Sequence, residues 1–96
     1  MGRMPRTRPE RLAEKLLHIR LSLGLSQNAM LRALGLDEKL FRSAVSGYEL
    51  GTREPPLPIL LSYARLAGVC LDLLVDDKIN LPNKLPSKPR HKKNPD

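Results

Sequence analysis

The sequence predicts an all-α domain of five short helices with flexible basic arms at both ends, on three observations. Leucine recurs at helical spacing throughout the central part. No stretch alternates apolar with polar residues under β-branched enrichment, the mark of a half-buried strand. Apolar residues make up 41% of the chain but aromatic residues only 3%, so the core must be built from Leu, Ala, Ile and Val. Ninety-six residues suffice for one small domain.

The elements follow in order. Pro9 opens a first helix whose stripe is Leu12, Leu16, Ile19 and Leu23, and Gly24 stops it. Ser26 is the N-cap of a second helix, Gln27 to Leu34, with Met30 and Leu34 inward and Gly35 beyond its end. Asp37 caps a third, in which Phe41, Val45 and Tyr48 recur at i, i+4 and i+7 over Glu38 to Leu50, before Gly51. The turn TREPP leads into a fourth, with Leu57, Leu60, Leu61, Ala64 and Ala67 inward and Gly68 closing it. Val69, Leu71, Leu74 and Val75 form a last helical turn over the core. After Asp77 the period fails and four prolines intervene before residue 96, which reads as extended or disordered chain, although Ile79, Leu81 and Leu85 offer apolar anchors. The predicted organisation is a basic arm over 1–8, a helical domain over 9–76 and a Pro/Lys-rich tail over 77–96.

The net charge of +7 is concentrated at the ends: +3 in residues 1–11, +1 in 12–75 and +3 in 76–96. Such arms suit a polyanion, or serve as solubilising tails. One cysteine, Cys70, forms no internal disulfide, and it has no metal-ligand spacing with His18 or His91. Neither histidine belongs to an acid–nucleophile constellation and no glycine loop cradles a phosphate, so neither an enzyme nor a cofactor is expected. The absence of a long apolar run and of a signal-like N-terminus fits a cytoplasmic protein with no membrane role.

Three stretches, LHIRLSLGLSQNAMLRALGL, SAVSGYELGTREP and LPILLSYARLAGVCLDLLVDD, together resemble the Xre/Cro-repressor class of helix-turn-helix domains. The resemblance covers about residues 10–76: Leu-Ser-Gln opens the second helix, Val-Ser-x-Tyr-Glu-x-Gly closes the third, and Arg-x-Pro leads into the fourth. It implies a lambda-repressor-like fold that places its third helix in the major groove of double-stranded DNA, as a homodimer on two half-sites. It also implies a buried pair between Arg20 and Glu49, a phosphate contact by Gln27 at a helix start, and contacts to the DNA backbone by Thr52 and Arg53. With Val45 inward, a helical wheel turns Lys39, Ser43, Ser46, Gly47 and Leu50 outward, with Arg42 on the flank. Lys39 and Arg42 suit guanine edges, Ser43 and Ser46 discriminate less, and Gly47 permits close approach.

One departure stands out. The eight residues DEKLFRSA exceed the family's usual spacing by about one helical turn, and either lengthen the third helix or widen the turn before it. Leu31, where the family often has Ala, is expected against Leu40 or Phe41. The implied function is a transcriptional regulator, a repressor in the first place, associated with the nucleoid. The alternatives are the antitoxin of a toxin–antitoxin pair, with the tail holding a protein partner, and an interaction module that keeps the fold without DNA.

Overall fold

Each helix is delimited by the local signals in its sequence. The computed structural model describes residues 8–86, and these contain six helical segments and no strand. They are α1 (Leu12–Leu23), α2 (Gln27–Ala33), α3 (Glu38–Phe41), α4 (Ala44–Leu50), α5 (Leu57–Ala67) and α6 (Asp72–Val75). Ser26 Oγ accepts the Ala29 amide at 3.0 Å, and Asp37 Oδ1 accepts those of Lys39 and Leu40 at 2.8 and 3.1 Å. Gly24 ends α1 at φ 73° and Gly51 ends α4 at φ 80°, a left-handed turn that other residues adopt only with strain.

The all-α expectation is met, with α1, α2, α4, α5 and α6 around one core and α3 inserted as a single turn. The residues expected as one third helix are broken at Arg42 and Ser43, so the extra residues widen the turn. Asp37 fixes the start of α3 locally, because its carboxylate caps the turn over residues 38–41. The break also takes Phe41 out of phase with Val45 and Tyr48. These two are buried, whereas Phe41 is 39% and Leu40 80% exposed. Leu31 is fully buried, and of the two residues expected against it Leu40, at 80% exposed, has little surface buried against anything.

The core joins Leu12, Leu16, Ile19 and Leu23 of α1 to Met30 and Leu31 of α2, Val45 and Tyr48 of α4, and Leu60, Tyr63, Ala64 and Ala67 of α5. Tyr48 and Tyr63 meet edge to face, with ring centroids 6.5 Å apart. In α5 the predicted inner set needs correction. Tyr63 is fully buried, while Leu57 at 65% and Leu61 at 36% are exposed. The set 60, 63, 64 and 67 already completes an inward stripe, and its largest ring fills the space.

The domain does not stop at Asp76. Asp77 turns back on α1 and accepts the Glu10 and Arg11 amides at 2.9 and 3.0 Å, so the helix that begins at Leu12, not at Pro9, is capped from the other end of the chain. Lys15, 2% exposed, donates to the carbonyls of Leu73, Asp76 and Ile79 at 2.8, 2.9 and 2.8 Å. All three ammonium protons are thus used, which is what makes a buried lysine tolerable. Leu85 joins the core and Leu81 packs on it, so the chain is anchored as far as residue 85. The rest of the expected tail, 87–96, and the arm over 1–7 lie outside the described residues.

Burial and the Arg11 charge lower the Lys15 pKa, with Asp77, Asp76 and Glu14 opposing. Two amide donors hold the Asp77 carboxyl below its ordinary 3.8. A folded value below the unfolded one gives stability that is present above the unfolded pKa and is lost as pH falls through the folded pKa. Asp77→Asn is therefore expected to flatten the acid side of the melting-temperature profile, and parallel acid limbs in variant and parent would contradict the cap. Lys15→Met, which leaves three carbonyls without their donor, is expected to lower stability by about 2–4 kcal/mol in urea unfolding.

Candidate nucleic-acid interface

The position of α4 is set by one carboxylate. Glu49, in its last turn, accepts Arg20 Nε at 2.6 Å and Arg20 Nη2 at 3.1 Å, a two-point contact between side chains 14% and 6% exposed. Arg20 also donates through Nη1 to the Leu25 carbonyl at 2.9 Å, and Gln27 Nε2 donates to Glu49 Oε1 at 3.1 Å. The end of α1, the loop before α2, the first residue of α2 and the end of α4 thus share one hydrogen-bonded cluster. Taking such a pair out of water is costly, and these bonds offset the cost. Below it, Tyr63 has a buried hydroxyl with no hydrogen-bond partner, and burial first, then the Glu49 charge, raises its pKa.

The structure places the residues singled out by sequence as follows. Lys39 is exposed on α3, Arg42 and Ser43 are exposed on the α3–α4 connection, and Ser46 is half-buried on α4. Gln27 is exposed, but its amide nitrogen serves Glu49. Thr52 and Arg53 are exposed in the turn after α4, where both amides donate to the Gly47 carbonyl, at 3.0 and 3.2 Å. Gly47, expected bare on the outer face, is instead buried beneath the Arg53 side chain. The stem of Arg53 runs where a side chain at position 47 would stand, a placement invisible to a wheel that treats α4 alone.

Charge pairing divides the cations, and Arg65, Lys78 and Lys84 are among those outside any ion pair of the described residues. Arg8 pairs with Glu54 at 3.6 Å, Arg11 with Glu14 at 3.1 Å, Arg20 with Glu49, and Arg32 with Glu38 at 2.6 Å. Lys39, Arg42 and Arg53, around α4, form no ion pair among the described residues. Three large apolar side chains are exposed in the same part of the chain: Leu40, Phe41 and Leu50, the last at 73%. The 3.6-residue pattern gave no sign of the first two, because Phe41 fitted the inner stripe.

An open cleft of ≈ 280 Å³ between the start of α1 and the end of α4 is floored by Tyr48 and walled by Arg8, Arg53, Glu10 and Glu54. Two cations face two carboxylates there, so the lining favours neither sign of ion. Among the described residues no group of three His, Cys, Asp or Glu side chains is placed to hold a metal ion, and no helix is long and apolar enough to cross a membrane.

Glu49→Ala strands a buried guanidinium, and is expected to cost about 3–5 kcal/mol in denaturant unfolding. Tyr63→Phe removes a hydroxyl without a partner and should leave stability unchanged or raised, so a loss beyond about 1 kcal/mol would show a bond that the described geometry lacks. Comparison of the chain with protein-family models, curated proteins and solved structures finds no match to any of them.

Proposed function

We propose that the chain is a sequence-specific DNA-binding transcriptional regulator that lays α4 in the major groove of its operator. What carries the reading is the distribution of uncommitted charge. Arg8, Arg11, Arg20 and Arg32 are neutralised by a carboxylate; of the exposed cations without one, Lys39, Arg42 and Arg53 gather around α4, while Arg65, Lys78 and Lys84 are spread over α5 and the chain after α6. Between them stand Ser43, just before α4, and Ser46 and Leu50 on it, with Gly47 covered by Arg53, so the polar side chains on this face are small and suit close approach. Gln27, whose amide keeps one N–H beyond its bond to Glu49, and the exposed Thr52, whose hydroxyl makes only a 3.4 Å contact, would meet phosphates at the edges of the same unit. The protein would act in the cytoplasm on nucleoid DNA as a homodimer, with half-sites about 34 Å apart. Occupying an operator suffices for repression, which needs no further surface.

A second reading has its own observation. Leu40, Phe41 and Leu50 expose apolar surface beside α4, and such side chains gain little from phosphates. That favours a module in which the same face meets a protein.

The two separate by selection from a random duplex library, followed by binding in rising salt. A regulator enriches a near-palindromic motif and loses affinity with a log–log slope of roughly −0.9 per phosphate neutralised. The Arg42→Ala, Arg53→Ala double variant is expected to lose the motif while keeping its helical signal. No enriched motif, or equal binding by the variant, would overturn the DNA reading.

A further inference from the structure

Gly47 sits inside α4, where alanine would favour the helix more. The absence of a side chain there has a reason in the surroundings. A Cβ at this position would lie 2.9 Å from Arg53 Cδ, 3.0 Å from Cγ and 3.3 Å from Cβ. At 100° per residue, position 47 stands about 200° from Val45 but only about 100° from the buried Tyr48, so the buried Gly47 lies on a flank of the helix, beside its outward line of Ser43, Ser46 and Leu50. The Arg53 stem therefore lies along that flank of α4, between the outward line and the cleft that α4 forms with the start of α1.

The arrangement is also held in place. Thr52 and Arg53 donate their amides to the Gly47 carbonyl at 3.0 and 3.2 Å, and the Thr52 hydroxyl adds a longer contact at 3.4 Å. Gly51, at φ 80°, gives the turn that brings Arg53 back over the helix. The neighbouring Glu54 pairs with Arg8, and Arg53 enters no ion pair among the described residues. Packing has already restricted the stem, so less side-chain entropy remains to be lost on binding.

We infer that Arg53 is the specificity-determining side chain of the α4 face: it takes the place vacated at position 47 and reads a guanine edge in the major groove. Gly47 is the positioning residue that makes room for it. The inference rests on the proposed DNA-binding function and changes the role of Arg53 from backbone contact to base contact. A planar guanidinium spans guanine O6 and N7 with two bonds, which a lysine ammonium does not reproduce. Small Ser43 and Ser46 nearby leave the groove floor within reach.

The test is duplex-library selection and affinity measurement on the full chain, with Arg53→Ala, Arg53→Lys and Gly47→Ala, each checked for helicity and melting temperature. Arg53→Ala is expected to lose preference at one base pair of each half-site, and to weaken the selected site about tenfold with little change on a site altered at that pair. Arg53→Lys is expected to lose the same preference while keeping the parent's salt slope. Gly47→Ala should reproduce Arg53→Ala, and combining the two should add nothing. If Arg53→Ala weakens all sequences alike and lowers the salt slope by about one, Arg53 touches phosphate and the inference fails. Parent-like selection by Gly47→Ala overturns the positioning role. Absence of any motif with the parent protein overturns the proposed function, and this inference with it.

Discussion

The bond between Arg20 and Glu49 is the constraint on which the rest of the arrangement depends. Helix α4 has only seven residues, too few to hold a direction by its own hydrogen bonds. Its orientation comes from Val45 and Tyr48 in the core and from Glu49 fastened to α1. A salt bridge fixes direction where leucine contacts allow sliding, because the two-point geometry tolerates little rotation. Gln27 adds α2 to the same carboxylate, so three helices keep a common frame while the connection between α2 and α4 takes up extra residues.

A second polar cluster works at the other end of α1. Lys15 and Asp77 bind the chain after α6 to the first turns of that helix, through carbonyls and amides that would otherwise be unpaired. Between the clusters lies a core of aliphatic residues and two tyrosines. A domain this small buries limited apolar area, and specific polar ties at both ends of its central helix compensate for thin packing. The same tie sets Glu10 and Arg11 beside Asp77, with Arg11 Nη1 also donating to the Asp77 carbonyl.

Local signals were the legible part of the sequence. Ser26, Asp37, Gly24, Gly35, Gly51 and Gly68 act within a turn of themselves, and each stands at the helix end that it predicts. The α1 stripe was equally plain, since Leu12, Leu16, Ile19 and Leu23 are all buried. Periodicity failed at Phe41, because the spacing of 41, 45 and 48 reads as one helix and carries no sign of the break at 42 and 43 that turns Phe41 away. Leu81 and Leu85 were visible as apolar anchors among prolines, but the docking of Lys15 and Asp77 carried no local mark, as the lysine's acceptors lie 58 to 64 residues away. In the candidate interface, Lys39, Arg42 and Arg53 were legible as exposed cations but their lack of carboxylate partners was not. The cover over Gly47 depends on a turn that folds back, which a wheel cannot represent. The Arg20–Glu49 pair came from family resemblance, since spacing alone gave Arg20 no partner.

The central claim is that α4 and its flanking cations form the surface that meets DNA. Backbone amide chemical shifts of the isotope-labelled full chain, followed while duplex DNA is added at low salt, test it most directly. The account predicts perturbations centred on residues 39–47 and 52–53, with α5 and α6 little changed. Shifts confined to the exposed apolar side around Leu57, Leu61 and Val75, or no shifts at saturating DNA, would contradict it.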